Sequence, residues 1–320
     1  YERSGISVKP EEILVTTGGS EALIFAMMVC FNIGDEIIIP EPYYANYSGF
    51  ATMSGVRVKP ITATIDEGFA LPSVEAFEAL ITEHTKGILL CNPGNPTGYL
   101  YDKSEIEAIA ELAKRRGLFL IADEVYREFC YDGAKPHSVY NLEGMEENVI
   151  LIDSVSKRYS MCGARIGALI TRNEEVRAAA LKFAQARLSP PTLGQIASEA
   201  ALDTPQSYFD HVIGEYAERR NFLVEGLRRI PGVLCPMPGG AFYCMAQLPI
   251  DDSDKFCQWL LEEFSHENET VMLAPGSGFY ITRGLGKLEV RIAYVLEKKD
   301  LERAVELLEI ALREYPGRTR

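Results

Sequence analysis

Several features that would assign the chain to a membrane, to nucleic acid or to an oxidising compartment are missing from this sequence. It contains no run of about 18 uncharged apolar residues and no signal-like N-terminus, so neither membrane insertion nor export is expected. Acidic residues outnumber basic ones by 46 to 32. The resulting formal charge of −14 argues against binding to nucleic acid, because a phosphate backbone repels such a surface.

Cysteine usage also excludes two classes of protein. The seven cysteines are scattered, odd in number and without the spacing of metal ligands, so neither a disulfide framework nor a metal site is expected. A reducing, cytoplasmic compartment fits them best. The chain shows no internal repeat or low-complexity stretch. With 320 residues, of which 47% are hydrophobic, it can bury a large core and more than one domain.

Strand and helix patterns alternate over the first 230 residues and predict a parallel α/β layer. The expected strands lie at residues 36–39, at a run ending at residue 90, and near residues 119, 150 and 168. The expected helices follow residue 18 and lie at 103–116, 174–186, 193–202 and 206–229. From Pro231 the pattern changes to short strands and two amphipathic helices, at 253–264 and 299–314. We therefore expect an α/β fold with a mostly parallel sheet flanked by helices in residues 1–230, and a smaller C-terminal α+β domain in residues 231–320.

One lysine is conspicuous because an apolar strand delivers it into a turn rich in hydroxyl groups. Lys157 follows the run 149–153 and lies close to Ser154 and Ser156, with Arg165 eight residues later. A primary amine that is desolvated at a strand end can lose its proton and form a Schiff base with a carbonyl compound. The serines and the arginine offer donors to a phosphate monoester. For this stretch alone, a surface loop with a solvated lysine is an equal alternative.

Three further segments place polar groups at the ends of predicted elements. Asp123 ends an apolar strand and is followed by Tyr126, at the sheet edge where open α/β sheets bind ligands. A turn with two prolines and two glycines holds Asn95. Gly18 and Gly19 lie where a strand enters a helix, so backbone N–H groups and the positive helix end can bind a phosphate. Taken singly, these segments are more simply explained as a helix cap, a plain turn and a helix start.

In this order and on these elements, the motifs resemble those of the class I/II aminotransferases, which are fold type I pyridoxal-phosphate enzymes. The resemblance covers about residues 5–315. The family's Ser-x-Ser-Lys pattern ends at Lys157, an arginine and a glycine follow at the expected offsets, and Asn-Pro-Thr-Gly and Asp-x-x-Tyr precede it. The resemblance implies pyridoxal 5′-phosphate as the cofactor and amino acids and 2-oxo acids as the substrates.

The resemblance also implies the catalytic groups. Lys157 would form the internal aldimine and, once displaced by substrate, would move a proton between substrate Cα and cofactor C4′. Asp123 would keep the pyridine nitrogen protonated, which makes the ring an electron sink. Tyr126 and Asn95 would hydrogen-bond the 3-oxygen of the cofactor and tune the proton affinity of the aldimine.

Further residues are implied as cofactor and substrate contacts. The phosphate would be held by Arg165, Ser154, Ser20 and the backbone of Gly19. Tyr44 stands in the place of the aromatic residue that stacks on the pyridine ring, although tyrosine-rich loops are also a common packing device. Ser20 departs from the lysine that aspartate-specific members of one branch carry there, which argues against a dicarboxylate preference by that route.

The substrate α-carboxylate would be gripped by Arg291, which lies in a predicted strand near the C-terminus and can act as a planar fork. Asn95 is expected to face the same substrate. Without the family context, a solvated arginine on an edge strand is the simpler interpretation. The glycine-containing segments 238–243 and 274–279 resemble loops by which the small domain closes on substrate, with plain turn chemistry as the alternative.

The sequence therefore predicts a pyridoxal-phosphate-dependent aminotransferase, similar to aspartate aminotransferases, that moves an amino group between an L-amino acid and a 2-oxo acid. One alternative is another reaction on the same cofactor, such as β-elimination of a cysteine conjugate or decarboxylation, because the motifs leave the side-chain pocket open. Another is the effector domain of a transcription regulator, which an upstream basic helix-turn-helix would support. The chain opens at Tyr1, and the resemblance implies several dozen upstream residues and a homodimer with a shared active site.

Overall fold

The computed structural model of this chain describes residues 1–319. Within that range, ten strands form one sheet of seven strands and one of three. The strands are β1 (Ile13–Thr16), β2 (Glu36–Glu41), β3 (Arg57–Thr62), β4 (Thr85–Cys91), β5 (Phe119–Asp123), β6 (Val149–Ser154), β7 (Gly167–Ile170), β8 (Tyr243–Gln247), β9 (Ala274–Pro275) and β10 (Glu289–Ala293). The helices are α1 (Gly18–Cys30), α2 (Asn46–Met53), α3 (Val74–Leu80), α4 (Lys103–Arg116), α5 (Val155–Arg158), α6 (Glu174–Arg187), α7 (Thr192–Ala200), α8 (Gln206–Arg229), α9 (Ser253–Glu262) and α10 (Lys298–Glu314).

The large sheet has the order β1-β7-β6-β5-β4-β2-β3. The five neighbouring strands β6, β5, β4, β2 and β3 all run parallel to one another. Its central strands β2, β4, β5 and β6 are buried on both faces. In β2, for example, Ile37 and Ile39 pack into a core with α1, α2 and α6, while Ile38 packs into an opposite core with α3 and α4. This arrangement confirms the expected mostly parallel sheet flanked by helices.

The last strand of the large sheet corrects one expectation. The strand near residue 168 was expected in the parallel layer, but β7 runs antiparallel to both of its neighbours, β6 and β1. Only residues 155–166 connect β6 to β7, and they hold the single turn of α5 and one 3-10 turn. A parallel return usually requires a full crossover helix, and this connection holds only two single turns, so the chain doubles back here.

The second sheet has the order β8-β10-β9 and is antiparallel. It shares an apolar core with α9, α10 and the last turns of α8, where Leu223, Val224 and Leu227 are buried. We propose the division into two domains near residue 231, with α8 reaching from the first part into the core of the second. None of the helices between residues 1 and 319 is long and apolar enough to cross a bilayer.

Candidate active site

A cavity of about 280 Å³ lies where the carboxyl ends of β4, β5 and β6 meet the N-terminus of α1 and the face of β10. Its walls include all ten residues that the sequence indicated, which are Gly19, Ser20, Tyr44, Asn95, Asp123, Tyr126, Ser154, Lys157, Arg165 and Arg291. Parallel strands end on one edge of the sheet, which is why motifs that are far apart in sequence converge there.

Lys157 is presented by α5, a single helical turn that starts directly at the end of β6. Ser154 caps this turn, because its Oγ accepts a hydrogen bond from the backbone N–H of Ser156 at 3.1 Å. The half-buried Lys157 ammonium lies 5.7 Å from the ring centre of Tyr126 and 5.8 Å from that of Phe242. The amine therefore faces an aromatic wall inside the cavity.

Asp123 is the only acidic side chain among the described residues that line the cavity, and it is buried. One carboxylate oxygen accepts a hydrogen bond from the Tyr47 hydroxyl at 2.7 Å, and the other accepts from the backbone N–H of Val125 at 3.3 Å. Burial raises the pKa of Asp123 to about 6, although these two hydrogen bonds oppose the rise. The charge of Lys157 also opposes the rise, and a cationic group bound in the cavity would be stabilised beside this carboxylate.

Tyr47 is a site residue that the sequence analysis missed. It is fully buried on α2, lines the cavity and fixes the orientation of the Asp123 carboxylate. The available signal was weak, because Tyr44 precedes α2 and shares no helix face with Tyr47. The ring of Tyr44 packs edge-on against that of Tyr47, with 5.5 Å between the centroids.

Two further aromatic residues join the site from the C-terminal part. The hydroxyl oxygens of Tyr126 and Tyr243 are 3.1 Å apart, within hydrogen-bond distance. The guanidinium carbon of Arg291 lies 4.6 Å from the ring centre of Tyr243 and 4.9 Å from that of Phe279. The sequence had placed Tyr243 and Phe279 in closing loops without assigning them a contact in the site.

Arg291 is held on the central strand of the small sheet, so the alternative of a solvated arginine on an edge strand is wrong. Its Nη1 donates a hydrogen bond to Oδ1 of Asn95 at 3.1 Å. Its Nε is buried and has no hydrogen-bond partner among the residues described. A buried cationic donor without a partner is costly, and a bound carboxylate would satisfy it.

The opposite end of the cavity has the donors of an anion site. Thr17 precedes α1 without capping it through its side chain, so the first backbone N–H groups of α1 receive no cap from that residue. Arg165 has a left-handed backbone, with φ 54°, and its guanidinium passes over Gly18, where a Cβ would collide with it. The guanidinium donates to the carbonyl oxygens of Cys162 at 3.0 Å and Thr17 at 3.4 Å. A helix N-terminus beside a guanidinium suits a phosphate.

The known proteins that are similar to this chain include several aminotransferases. The family model described as aminotransferase class I and II matches residues 2–308. The aspartate aminotransferase of Rhizobium meliloti (strain 1021) is 33% identical over 322 aligned positions, which cover 96% of this chain and 76% of that protein. The solved structure of an aromatic aminotransferase from Pyrococcus horikoshii OT3 has a TM-score of 0.89 at 29% identity, and the match covers 98% of this chain and 83% of the aromatic aminotransferase chain. The solved structure of an aspartate aminotransferase from Thermotoga maritima has a TM-score of 0.87 at 31% identity, and the match covers 98% of this chain and 79% of the Thermotoga chain.

Proposed function

The chain belongs to the class I and II aminotransferases, a family of pyridoxal-phosphate enzymes, and we propose that Lys157 is the residue that holds the cofactor in the cavity. The activity of the chain is that of a transaminase, which moves an amino group between an amino acid and a 2-oxo acid. The observation that carries the proposal is the convergence of Lys157, Asp123 and Arg165, from three separate segments, in one cavity.

The residues present fit pyridoxal 5′-phosphate. Arg165, Ser20, Ser154 and the N-terminal N–H groups of α1 form an anion site that suits the phosphate. At the other side, Asp123 is a buried carboxylate that forms no ion pair within residues 1–319, although the charge of Lys157 acts on it, and the pyridine nitrogen would provide a direct partner. When bound, the cofactor supplies an aldehyde carbon that an amine can attack and an electron-withdrawing ring.

Each side chain then has a defined task. Lys157 would hold the cofactor, and its amine, once released by substrate, would take the proton from the substrate Cα and deliver it to the cofactor carbon C4′. Asp123 keeps the ring nitrogen protonated, while Tyr47 keeps the Asp123 carboxylate in place. Tyr126 donates to the 3-oxygen. Because Oδ1 of Asn95 already accepts from Arg291, the amide nitrogen of Asn95 is left to donate to the same oxygen.

Arg291 binds the α-carboxylate that all amino-acid and 2-oxo-acid substrates share. Its partnerless Nε and its position beside Asn95 support this assignment. The rings of Tyr243 and Phe279 cover the guanidinium, which lowers competition from water for the carboxylate. We further propose that the enzyme acts as a homodimer with a shared active site in the cytoplasm.

Reduction of the holoprotein with borohydride tests the proposed cofactor residue. The visible absorption of the holoprotein should disappear, and peptide mapping should find the cofactor fixed on the peptide that contains Lys157. Lys157→Ala should abolish fixation, whereas Lys182→Ala, a change on α6 outside the cavity, should not. Fixation on a peptide without Lys157 would reject the proposal.

A further inference from the structure

A chain of contacts joins the two ends of the substrate side of the cavity. The Arg291 guanidinium lies over the ring of Tyr243 at 4.6 Å, and the Tyr243 hydroxyl lies 3.1 Å from the Tyr126 hydroxyl. Tyr126 and Tyr243 are buried. The contacts therefore connect the group proposed to bind the substrate carboxylate to the phenol proposed to bind the cofactor 3-oxygen.

The strand register keeps Tyr243 in this place. Tyr243 opens β8 and pairs with Ala293 of β10, while Arg291 pairs with Met245. Alternate residues share a sheet face, so Tyr243 and Arg291 are diagonal neighbours on one face of the small sheet. The ring of Tyr243 also meets that of Tyr126 edge-on, with 5.7 Å between the centroids. These contacts leave the phenol of Tyr243 little freedom to turn away.

Proton counting sets the direction of the hydrogen bond between the two phenols. Each phenol has one proton to donate. If Tyr126 donates its proton to the cofactor 3-oxygen, it has none for Tyr243, and Tyr243 must donate to the oxygen of Tyr126. A phenol that accepts a hydrogen bond becomes a stronger donor, because successive hydrogen bonds polarise one another.

We propose that Tyr243 is a positioning residue that holds the hydroxyl of Tyr126 on the cofactor 3-oxygen and strengthens its donation. The proposal rests on the proposed function, since it requires Tyr126 to bind that oxygen. Arg291 supports the role by fixing the ring of Tyr243, and its positive charge makes the phenol a better donor. Through the hydrogen bond between Tyr243 and Tyr126, the small sheet adjusts the proton affinity of the Lys157 nitrogen that is joined to the cofactor.

Tyr243→Phe tests the role because it removes only the hydroxyl and keeps the ring on Arg291. The readout is the pH midpoint of the visible absorption change of the holoprotein. Weaker donation leaves more negative charge on the 3-oxygen. That charge stabilises the proton on the nearby Lys157 nitrogen that is joined to the cofactor, so the midpoint should rise. The expected rise is about 0.3 to 1 unit, the effect of losing one neutral hydrogen bond on a proton equilibrium. KM for amino-acid donors should stay within about twofold, since the cation–π contact remains, and kcat should fall about threefold to tenfold.

A double variant separates this role from general packing. Tyr126→Phe alone should raise the midpoint more than Tyr243→Phe does, and adding Tyr243→Phe to Tyr126→Phe should cause no further rise. Tyr280→Phe is the matched control, because that hydroxyl bonds to Glu289 of the same small sheet outside the cavity and its loss should leave the midpoint unchanged.

An unchanged midpoint in Tyr243→Phe would overturn the proposal, as would an equal rise in the presence and absence of the Tyr126 hydroxyl. These outcomes are distinct from failure of the proposed function. If borohydride fixes the cofactor on Lys157 while Tyr243→Phe behaves as wild type, the function stands and the role of Tyr243 is rejected. If fixation occurs elsewhere, both are rejected.

Discussion

At the scale of single residues, the protonation of Asp123 makes the stability of the cofactor-free protein depend on pH. The side chain is 5% exposed, and the described residues provide it with two hydrogen-bond donors, Tyr47 and Val125. Burial raises its pKa to about 6 in the fold, whereas the unfolded chain ionises near the ordinary value of 3.8. The unfolded chain therefore loses its proton first, and stability falls as pH rises through the interval between these two values.

Asp123→Asn should remove this pH dependence. Below about pH 4 the cofactor-free variant and wild type should have similar free energies of unfolding, and above about pH 6 the variant should be more stable by up to about 3 kcal/mol. Urea unfolding of the cofactor-free protein between pH 4 and pH 8 measures the difference. The exposed Asp203→Asn is the control and should follow wild type. A variant that loses stability in parallel with wild type over this interval would contradict the expectation.

Substitution of Arg291 gives a second prediction at this scale. Arg291→Lys keeps the charge but loses the planar fork, so kcat/KM should fall by a similar factor for every amino-acid donor, since all share the α-carboxylate. Arg291→Ala should cost tens to thousands of fold, equivalent to about 2–5 kcal/mol for a truncated charge pair. Cofactor affinity should hardly change, because the phosphate site lies elsewhere. Steady-state kinetics with several donors measures this, with the exposed Arg283→Lys as the control. Loss confined to acidic donors would show that Arg291 reads the substrate side chain.

At the scale of elements, the short helix α5 is held by buried charges. Arg158, at its last position, donates to both oxygens of Asp153 at 3.0 and 2.9 Å and to Glu128 at 2.6 Å. Arg127 reaches Asp153 from the other side at 3.2 Å. Burial alone would raise the pKa of Asp153, but Arg158 and Arg127 hold it well below its usual range. These contacts connect the turn that carries Lys157 to the segment that carries Tyr126.

Arg158→Leu should therefore lower the free energy of unfolding. It leaves Asp153 and Glu128 with less compensating charge, and breaking a buried pair costs about 3–5 kcal/mol. Arg158→Lys should recover part of the loss because it restores the charge without the fork. The control is Arg116→Leu, which removes an exposed pair with Glu78 and should cost about 1 kcal/mol or less. Equal losses for Arg158→Leu and Arg116→Leu in urea unfolding would show that α5 is not held in this way.

Local signals explain which elements the sequence predicts well. The expected helix 103–116 matches α4, because Asp102 and Glu105 form a capping box and Gly117 ends the helix in the left-handed conformation. Most of the ten cavity residues belong to short motifs at strand and helix ends, which a local sequence pattern can report, whereas Arg291 lies in the middle of β10 and was indicated by the family resemblance. The direction of β7 was predicted wrongly, although the absence of an expected helix between the strands near residues 150 and 168 was a signal for antiparallel pairing.

Long-range contacts explain the residues that the sequence missed. Tyr47 bonds to a residue 76 positions away and Tyr243 to one 117 positions away. A local pattern reports the face on which a side chain lies, but not the partner that the topology brings to it. Tyr243 also belongs to a tyrosine-rich chain with 16 tyrosines, so its type alone did not distinguish it from packing residues.

At the scale of the whole molecule, exposed apolar side chains are concentrated around α7. Leu188 precedes this helix, Leu193 and Ile196 lie on it, and Leu202 follows it, and all four are exposed. Gly194 of α7 packs closely against the backbone of Ala164, next to Arg165 of the proposed phosphate site. A second copy of the chain that covered α7 would therefore lie close to the cofactor. This supports the proposed homodimer with a shared active site, because exposed apolar patches of this kind are typical of interfaces.

The combined change Leu193→Asp and Ile196→Asp should convert the dimer into a monomer. These side chains are 82% and 58% exposed, so the substitutions leave the fold of one chain intact, whereas burying two carboxylates in an interface is strongly unfavourable. Sedimentation should show the wild-type protein as a dimer and the variant as a monomer, with a dissociation constant raised at least about a hundredfold, equivalent to about 3 kcal/mol. Because α7 adjoins the turn before Arg165, the monomer should also bind pyridoxal phosphate more weakly and lose transaminase activity. Met272→Asp, at a site that is 78% exposed and outside α7, is the control and should remain dimeric and active. A fully active monomer, from either the wild type or the variant, would contradict the shared site.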